Sequence, residues 1–235
     1  MELTQTEKER YDRHLRINGF GAEAQEKLKS AKVLVIGAGG LGCPVIQYLT
    51  AAGIGEIGIV DGDVVSLSNL QRQIIYTESE IGQSKAVIAS VKMLNLNSGV
   101  NIRVFDSFLS DELADLVFPT FDLVVGATDN YISRYLIDRK SKQYGIPFVH
   151  GAIREFEGQL SVFNYKGGSS YGDLFGNQPP EPTSPMGVVG AIPGIIGSMM
   201  AMEVIKILTD TGEVLAGKLL LYSARSNTFN QVTIV

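Results

Sequence analysis

The stretch Lys32-Val-Leu-Val-Ile-Gly-Ala-Gly-Gly-Leu-Gly42 decides the fold. Val33 to Ile36 is an unbroken aliphatic run, the pattern of a strand whose sheet is covered on both faces. Gly37, Gly39, Gly40 and Gly42 then satisfy G-x-G-x-x-G, and Cys43 to Ala52 reads as a helix. In that strand–turn–helix setting the first glycines permit a turn too tight for a Cβ. Backbone N–H groups at the helix start can then face a phosphate or a ribose, and the last glycine lets helix and strand pack closely. A second strand, Glu56 to Val60, ends in Asp61, 24 residues beyond Gly37, where a carboxylate can accept both hydroxyls of a ribose. Together the glycine loop and its acid predict an adenine-nucleotide site.

Working outward, short aliphatic runs keep alternating with amphipathic stretches. Helices are expected at 85–95, 111–118 and 132–144, and strands at 101–105, 121–126 and 147–150. That rhythm predicts an α/β, Rossmann-like fold with helices on both faces of the sheet. After His150 the period falls to two, over 159–165 and in the pair 218–223 and 228–235, so antiparallel strands are expected in the C-terminal part and the sheet is mixed. Thr4 to Arg10 and Ala22 to Lys29 read as short helices. No repeat or sharp change of composition divides the chain. It is expected to form a single domain over 1–235, with a helical segment at 1–30, a nucleotide-binding half at 31–150 and a second half at 151–235. The glycine- and proline-rich stretch 166–186 reads as a structureless, flexible lid.

A hydrophobic content of 45% excludes a disordered chain, and 20 basic against 25 acidic residues, a net charge of −5, argues against a general nucleic-acid binder. The lone thiol, Cys43, allows neither an intramolecular disulfide nor a four-cysteine zinc site, and points to the cytoplasm. The polar N-terminus does not read as a secretory signal. The apolar stretch 188–208, broken by Pro193, Glu203 and Lys206, suits a buried helix better than a membrane span.

Past Asp61, the run Asp63-Val-Val-Ser-Leu-Ser-Asn-Leu-Gln-Arg-Gln73 sets Asp63, Asn69, Arg72 and Gln73 in a loop, and Lys85 opens the next helix. An uncharged nicotinamide has little use for two cations here, whereas a triphosphate losing pyrophosphate needs positive charge where the leaving group turns negative. Two solvated surface cations are the plainer alternative. Asp129, in Gly126-Ala-Thr-Asp-Asn130, falls at the carboxyl edge of the sheet. There it either holds Mg²⁺ against phosphate oxygens or caps the helix that follows. His14 and His150 lack a recognisable partner and read as structural, and Arg154 as a contact to substrate or scaffold.

These segments resemble the ThiF/MoeB/HesA family, relatives of ubiquitin-activating enzymes, across nearly the whole chain. The resemblance rests on Arg10-Tyr-Asp-Arg-His, Gly37-Ala-Gly-Gly-Leu-Gly, Val60-Asp-Gly-Asp-Val-Val, Ser68-Asn-Leu-Gln-Arg-Gln, Ile81-Gly-Gln-Ser-Lys, Ala127-Thr-Asp-Asn, Gly151-Ala-Ile-Arg-Glu-Phe-Glu-Gly-Gln and Pro193-Gly-Ile-Ile-Gly. It implies an adenylyltransferase that uses ATP and Mg²⁺ to activate the C-terminal Gly-Gly carboxylate of a small β-grasp sulfur-carrier protein of the ThiS or MoaD kind. Pyrophosphate is released, in thiamin, molybdopterin or related sulfur-transfer biosynthesis. By the same resemblance Asp61 holds the ribose, Arg72 and Lys85 grip the phosphates and Asp129 binds the metal, with Asp63, Asn69, Gln73 and Asn130 also expected in the nucleotide site. Arg13 matches an arginine that reaches the phosphates from the other subunit of a homodimer.

The chain departs from the family at two places. Where many members place the first Cys-x-x-Cys pair of a zinc site it has Ser170 and Asp173, so no zinc is expected. Thr183 stands where some members carry a cysteine, so sulfur is expected to come from a separate sulfurtransferase. Without turnover, the same features describe a nucleotide-binding adaptor of a β-grasp partner. No nucleic-acid or membrane partner is expected.

Overall fold

The computed structural model describes residues 2–176, 178 and 187–234. In chain order its elements are α1 (Gln5–Arg10), α2 (Asp12–Leu15), α3 (Gly21–Ser30), β1 (Lys32–Ile36), α4 (Gly42–Ala52), β2 (Glu56–Val60), α5 (Lys85–Leu96), β3 (Asn101–Phe105), α6 (Asp111–Val117), β4 (Leu123–Gly126), α7 (Tyr131–Tyr144), β5 (Phe148–Arg154), β6 (Glu157–Phe163), α8 (Tyr171–Phe175), α9 (Ala191–Thr209), β7 (Lys218–Ser223) and β8 (Thr228–Thr233). One sheet joins all the strands in the order β3-β2-β1-β4-β5-β6-β7-β8. From β3 to β5 neighbours run parallel, and from β5 to β8 antiparallel. The mixed α/β sheet expected from the change of period is therefore the architecture found, and it crosses residue 150 without a break.

The aliphatic run of β1 is central because it feeds two cores. Val33 and Val35 pack with Ile46, Leu49 and Met200 on one face, and Leu34 and Ile36 with Phe118, Ile137 and Phe148 on the other. Each such side chain contributes about 1.5–3 kcal/mol on leaving water, so all four define the middle of the sheet. Helix α9 lies on the first face. Among the described helices it is long and apolar enough to cross a membrane by length and composition, with a mean hydropathy of 1.6. Here Ile196, Met200 and Val204, spaced four apart, are buried against the sheet as a core helix requires.

Two local features differ from the sequence expectation. Strand β5 continues past His150 to Arg154, because it pairs antiparallel with β6 through to Arg154↔Glu157. Helix α8 lies inside the stretch expected to be structureless. Its start is fixed by a capping box, in which Ser170 Oγ accepts from Asp173 N at 3.2 Å while Asp173 Oδ2 accepts from Ser170 N at 2.7 Å. The Asp138 carboxylate, reaching across from α7, accepts from Tyr171 N at 2.9 Å and Gly172 N at 3.1 Å. The Tyr171 ring is buried against Phe148, His150 and Phe163. The positions aligned with the family's cysteine pair thus serve as a helix cap. Thr183 and residues 179–186 of the expected lid lie outside the described residues.

Candidate functional site

At the carboxyl edge, strand order reverses between β1, which runs back to β2, and β4, which continues the sheet the other way. Ligands of open α/β sheets bind at such a point. The turn leaving β1 needs two of its glycines for shape. Gly37 has φ +99°, and a Cβ there would lie 2.6 Å from the Ala127 carbonyl oxygen; one on Gly42 would lie 2.0 Å from that of Gly37. Gly39 and Gly40 instead face the cleft that the turn borders. The same turn aims the Ala38 N–H at Asp61 Oδ2, 2.7 Å away, while the Asp63 N–H meets Oδ1 at 2.8 Å. Two of the carboxylate's roughly four acceptor positions remain for hydroxyl groups. Burial pushes the Asp61 carboxyl up, against the pull of those two N–H groups and the Lys85 charge.

The cleft has a volume of about 1000 Å³, at the upper end of what ligand pockets offer. It brings Arg72, Gln73, Lys85 and Asp129, from three separate places in the chain, to one hollow with Asp61 and the glycine loop. Lys85 sits in the first turn of α5, 4% exposed, with Nζ 3.0 Å from Asp63 Oδ2. A lysine at a helix N-terminus is opposed by the helix dipole, and an added anion would relieve both charges. Arg72 Nη1 donates to the Ser68 carbonyl at 3.1 Å, and among the described residues no acidic oxygen lies within 4.0 Å of it. Gln73 is buried, and among the described residues its Oε1 has no partner.

Asp129 and the helix cap fall on different residues. Asn130 Oδ1 accepts from Ser133 N at 2.8 Å and caps α7, which leaves the Asp129 carboxylate exposed in the cleft. Asn130 also borders the cleft, but its side-chain oxygen is committed to the helix. A single free carboxylate suits Mg²⁺, which takes one or two protein carboxylates and completes its shell with water and substrate phosphate. No cluster of three His, Cys, Asp or Glu forms a separate metal cage among the described residues.

Three sequence-predicted residues do not line this cleft: Gly42, which packs against the Gly37 carbonyl, Asn69 and Arg13. Asn69 ends a turn of 3₁₀ helix, Leu67–Asn69, and its carbonyl accepts from the Arg72 and Gln73 N–H groups, each at 3.0 Å. It therefore shapes the loop that presents them. Arg13 is exposed on α2, two residues past Tyr11, whose ring crowds Gly53 at the far end of α4 from the glycine loop. Those 11 residues of helix span about 16 Å, so Arg13 lies well away from its own chain's cleft. The two histidines have structural surroundings. His14 Nδ1 is 2.8 Å from Gln25 Oε1, and the fully buried His150 is pushed well below the usual imidazole range by burial and by the charge of Arg134.

Sequence reasoning missed Arg134, Gln159 and Tyr171, which also border the cleft, and gave Arg154, exposed at its β5–β6 end, only an unspecified contact role. Arg134 is one turn into α7, where an arginine reads as a surface residue; in the fold its Nη2 bonds the Thr128 carbonyl at 3.0 Å and its side chain is buried at the cleft. No local pattern signals that.

A glycine-looped, Rossmann-like sheet with cations and a free carboxylate around one cleft defines a nucleotide-binding α/β protein. The chain belongs to the ThiF family, whose sequence pattern matches residues 11–234. It is 43% identical over 231 residues to a probable molybdopterin-synthase adenylyltransferase of Porphyra purpurea, covering 96% of this chain and 60% of that protein. It is 42% identical over 243 residues to the sulfur carrier protein adenylyltransferase of Thermus thermophilus, covering 100% and 90%. The SAMP-activating enzyme E1 of Haloferax volcanii is 41% identical, over 99% of this chain and 87% of that protein. Among solved structures, Escherichia coli MccB with ATP superposes with a TM-score of 0.86 at 21% identity, covering 98% of this chain and 72% of that one. Selenomethionine-labelled PaaA gives 0.85 at 22%, covering 99% and 75%. At those identities the likeness is one of fold.

Proposed function

We propose that this chain is an ATP-dependent adenylyltransferase that activates the C-terminal carboxylate of a small β-grasp sulfur-carrier protein ending in Gly-Gly. The observation that carries this reading is the convergence of Arg72, Lys85 and Asp129 on the cleft formed by the glycine loop and Asp61. The names of the Porphyra and Thermus relatives support it. Asp61 accepts from the ribose hydroxyls, and the glycine loop offers its N–H groups to the phosphates. An oxygen of the tail carboxylate attacks the α-phosphorus, and the bond from that phosphorus to the bridging oxygen of the β-phosphate breaks. The products are an acyl-adenylate and pyrophosphate. Arg72 and Lys85 meet the charge that develops on the leaving pyrophosphate, Lys85 exchanging Asp63 for phosphate oxygen. When bound, Mg²⁺ on Asp129 supplies charge neutralisation at the phosphate oxygens.

The step asks nothing of a protein nucleophile. Cys43 is buried, and burial pushes its thiol up to about 12, so it stays protonated. Sulfur is then delivered by a separate sulfurtransferase. The reading places the protein in the cytoplasm, as a homodimer in which Arg13 serves the partner's cleft. Val87, Val91 and Leu94, at helical spacing on α5, leave an exposed apolar stripe suited to such an interface. The test is to mix the purified chain with MoaD- and ThiS-type carriers, ATP and Mg²⁺. A carrier heavier by one AMP, with carrier-stimulated exchange of pyrophosphate into ATP, is expected. A panel in which no carrier gains that mass overturns the reading.

A further inference from the structure

We propose that Arg134, with the Tyr171 phenol beside it, forms the seat for the carboxylate that the carrier tail presents to the nucleotide. This deepens the adenylyltransferase reading and rests on it. Among the described residues the buried cations are Lys85, Lys140 and Arg134. Lys85 pairs with Asp63, and Lys140 with Asp111 and Asp115. Arg134, 8% exposed, has no acidic oxygen within 4.0 Å among the described residues, and its Nε has no partner. Its guanidinium bonds the Thr128 carbonyl through Nη2 at 3.0 Å and lies 5.2 Å from the centre of the Tyr131 ring. A buried charge with no counter-ion is costly, and bracing one carbonyl is a task that a neutral amide could perform. The charge makes sense when an anion arrives.

Strand order indicates which anion. Asp61, Arg72 and Lys85 follow β2, Asp129 follows β4, and Arg134 and Tyr171 lie beyond, on the flank built by α7, α8, β5 and β6. The triphosphate already has two cations on its own side of Asp129. On the far side the reactant still lacking a partner is the attacking carboxylate. A planar guanidinium matches a carboxylate with two parallel N–H donors. Tyr171 borders the same cleft as Arg134, and burial pushes its phenol up against the pull of the Arg134 charge, so the phenol keeps its proton and can donate an O–H bond. His150, behind both, stays neutral and adds no competing charge.

Calorimetric binding without ATP tests this, using a MoaD-type carrier ending in Gly-Gly and the same carrier bearing a C-terminal amide. The wild-type chain is expected to bind the acid at least about tenfold more tightly than the amide, the scale of one charge-assisted contact. Arg134→Gln should bring that ratio close to one with ATP affinity unchanged; Tyr171→Phe should reduce it severalfold, and Arg134→Lys should leave it intermediate. The last two variants carry the test if the first fails to fold. A wild-type ratio near one, a ratio that survives in folded Arg134→Gln, or a loss of ATP affinity in step with carrier affinity overturns the proposal. Intact discrimination without AMP transfer would sink the enzymatic reading and leave the carboxylate seat standing.

Discussion

At Asp129 a carboxylate stands exposed in the cleft, caps no helix and pairs with no cation among the described residues. Asp129→Ala is therefore expected to cut Mg²⁺-dependent AMP transfer about 100-fold or more while moving the melting temperature by only about 2 °C, as surface substitutions do. Initial rates and calorimetry check both halves, and near-normal turnover would end its assignment to the metal. Asp61 gives a pH signature. Its raised carboxyl holds a proton in the folded chain over a window, upward from the ordinary aspartate value, in which the unfolded chain has released it. Stability contributed by this group accordingly falls as pH rises through that window, and Asp61→Asn should flatten that slope in urea melts taken upward from the ordinary aspartate range. These two residues were legible in the sequence because each lies within three residues of the carboxyl end of a strand in the nucleotide half. The choice between Asp129 and Asn130 as the cap was not, since adjacent residues of similar capping strength differ only in the φ/ψ each adopts. Arg134 was illegible for another reason: what turns it inward is packing between distant elements.

The turn between β1 and α4 is read from sequence most easily, because its shape leaves no room for a side chain. With a Cβ at Gly42 only 2.0 Å from a backbone oxygen, Gly42→Ala should destabilise the fold by about 1–3 kcal/mol, measurable as an earlier urea midpoint at unchanged slope. Helix α8 shows the opposite case. Its five residues sit among glycines that signal a loop, and it depends on the Ser170–Asp173 box and on Asp138 from another helix. Ser170→Ala should cost about 1 kcal/mol and raise hydrogen exchange across Tyr171–Phe175 while leaving the parallel strands protected. Protection unchanged in α8 would mean that the buried Tyr171 ring alone fixes it.

For the molecule as a whole, the distance of Arg13 from its own cleft makes the proposed homodimer testable by complementation. Arg13→Ala and Asp129→Ala, each inactive alone, should recover about a quarter of wild-type activity when mixed and allowed to exchange subunits. Half of the dimers are then mixed, and each holds one intact site. No recovery would mean that Arg13 has no part in the partner's cleft. The order of strands has one more consequence. If the nucleotide docks over the parallel strands and the tail arrives from the antiparallel ones, the two reactants approach the one cleft from opposite flanks. Pyrophosphate would then leave on the flank by which ATP came, while the activated tail keeps its hold on the other.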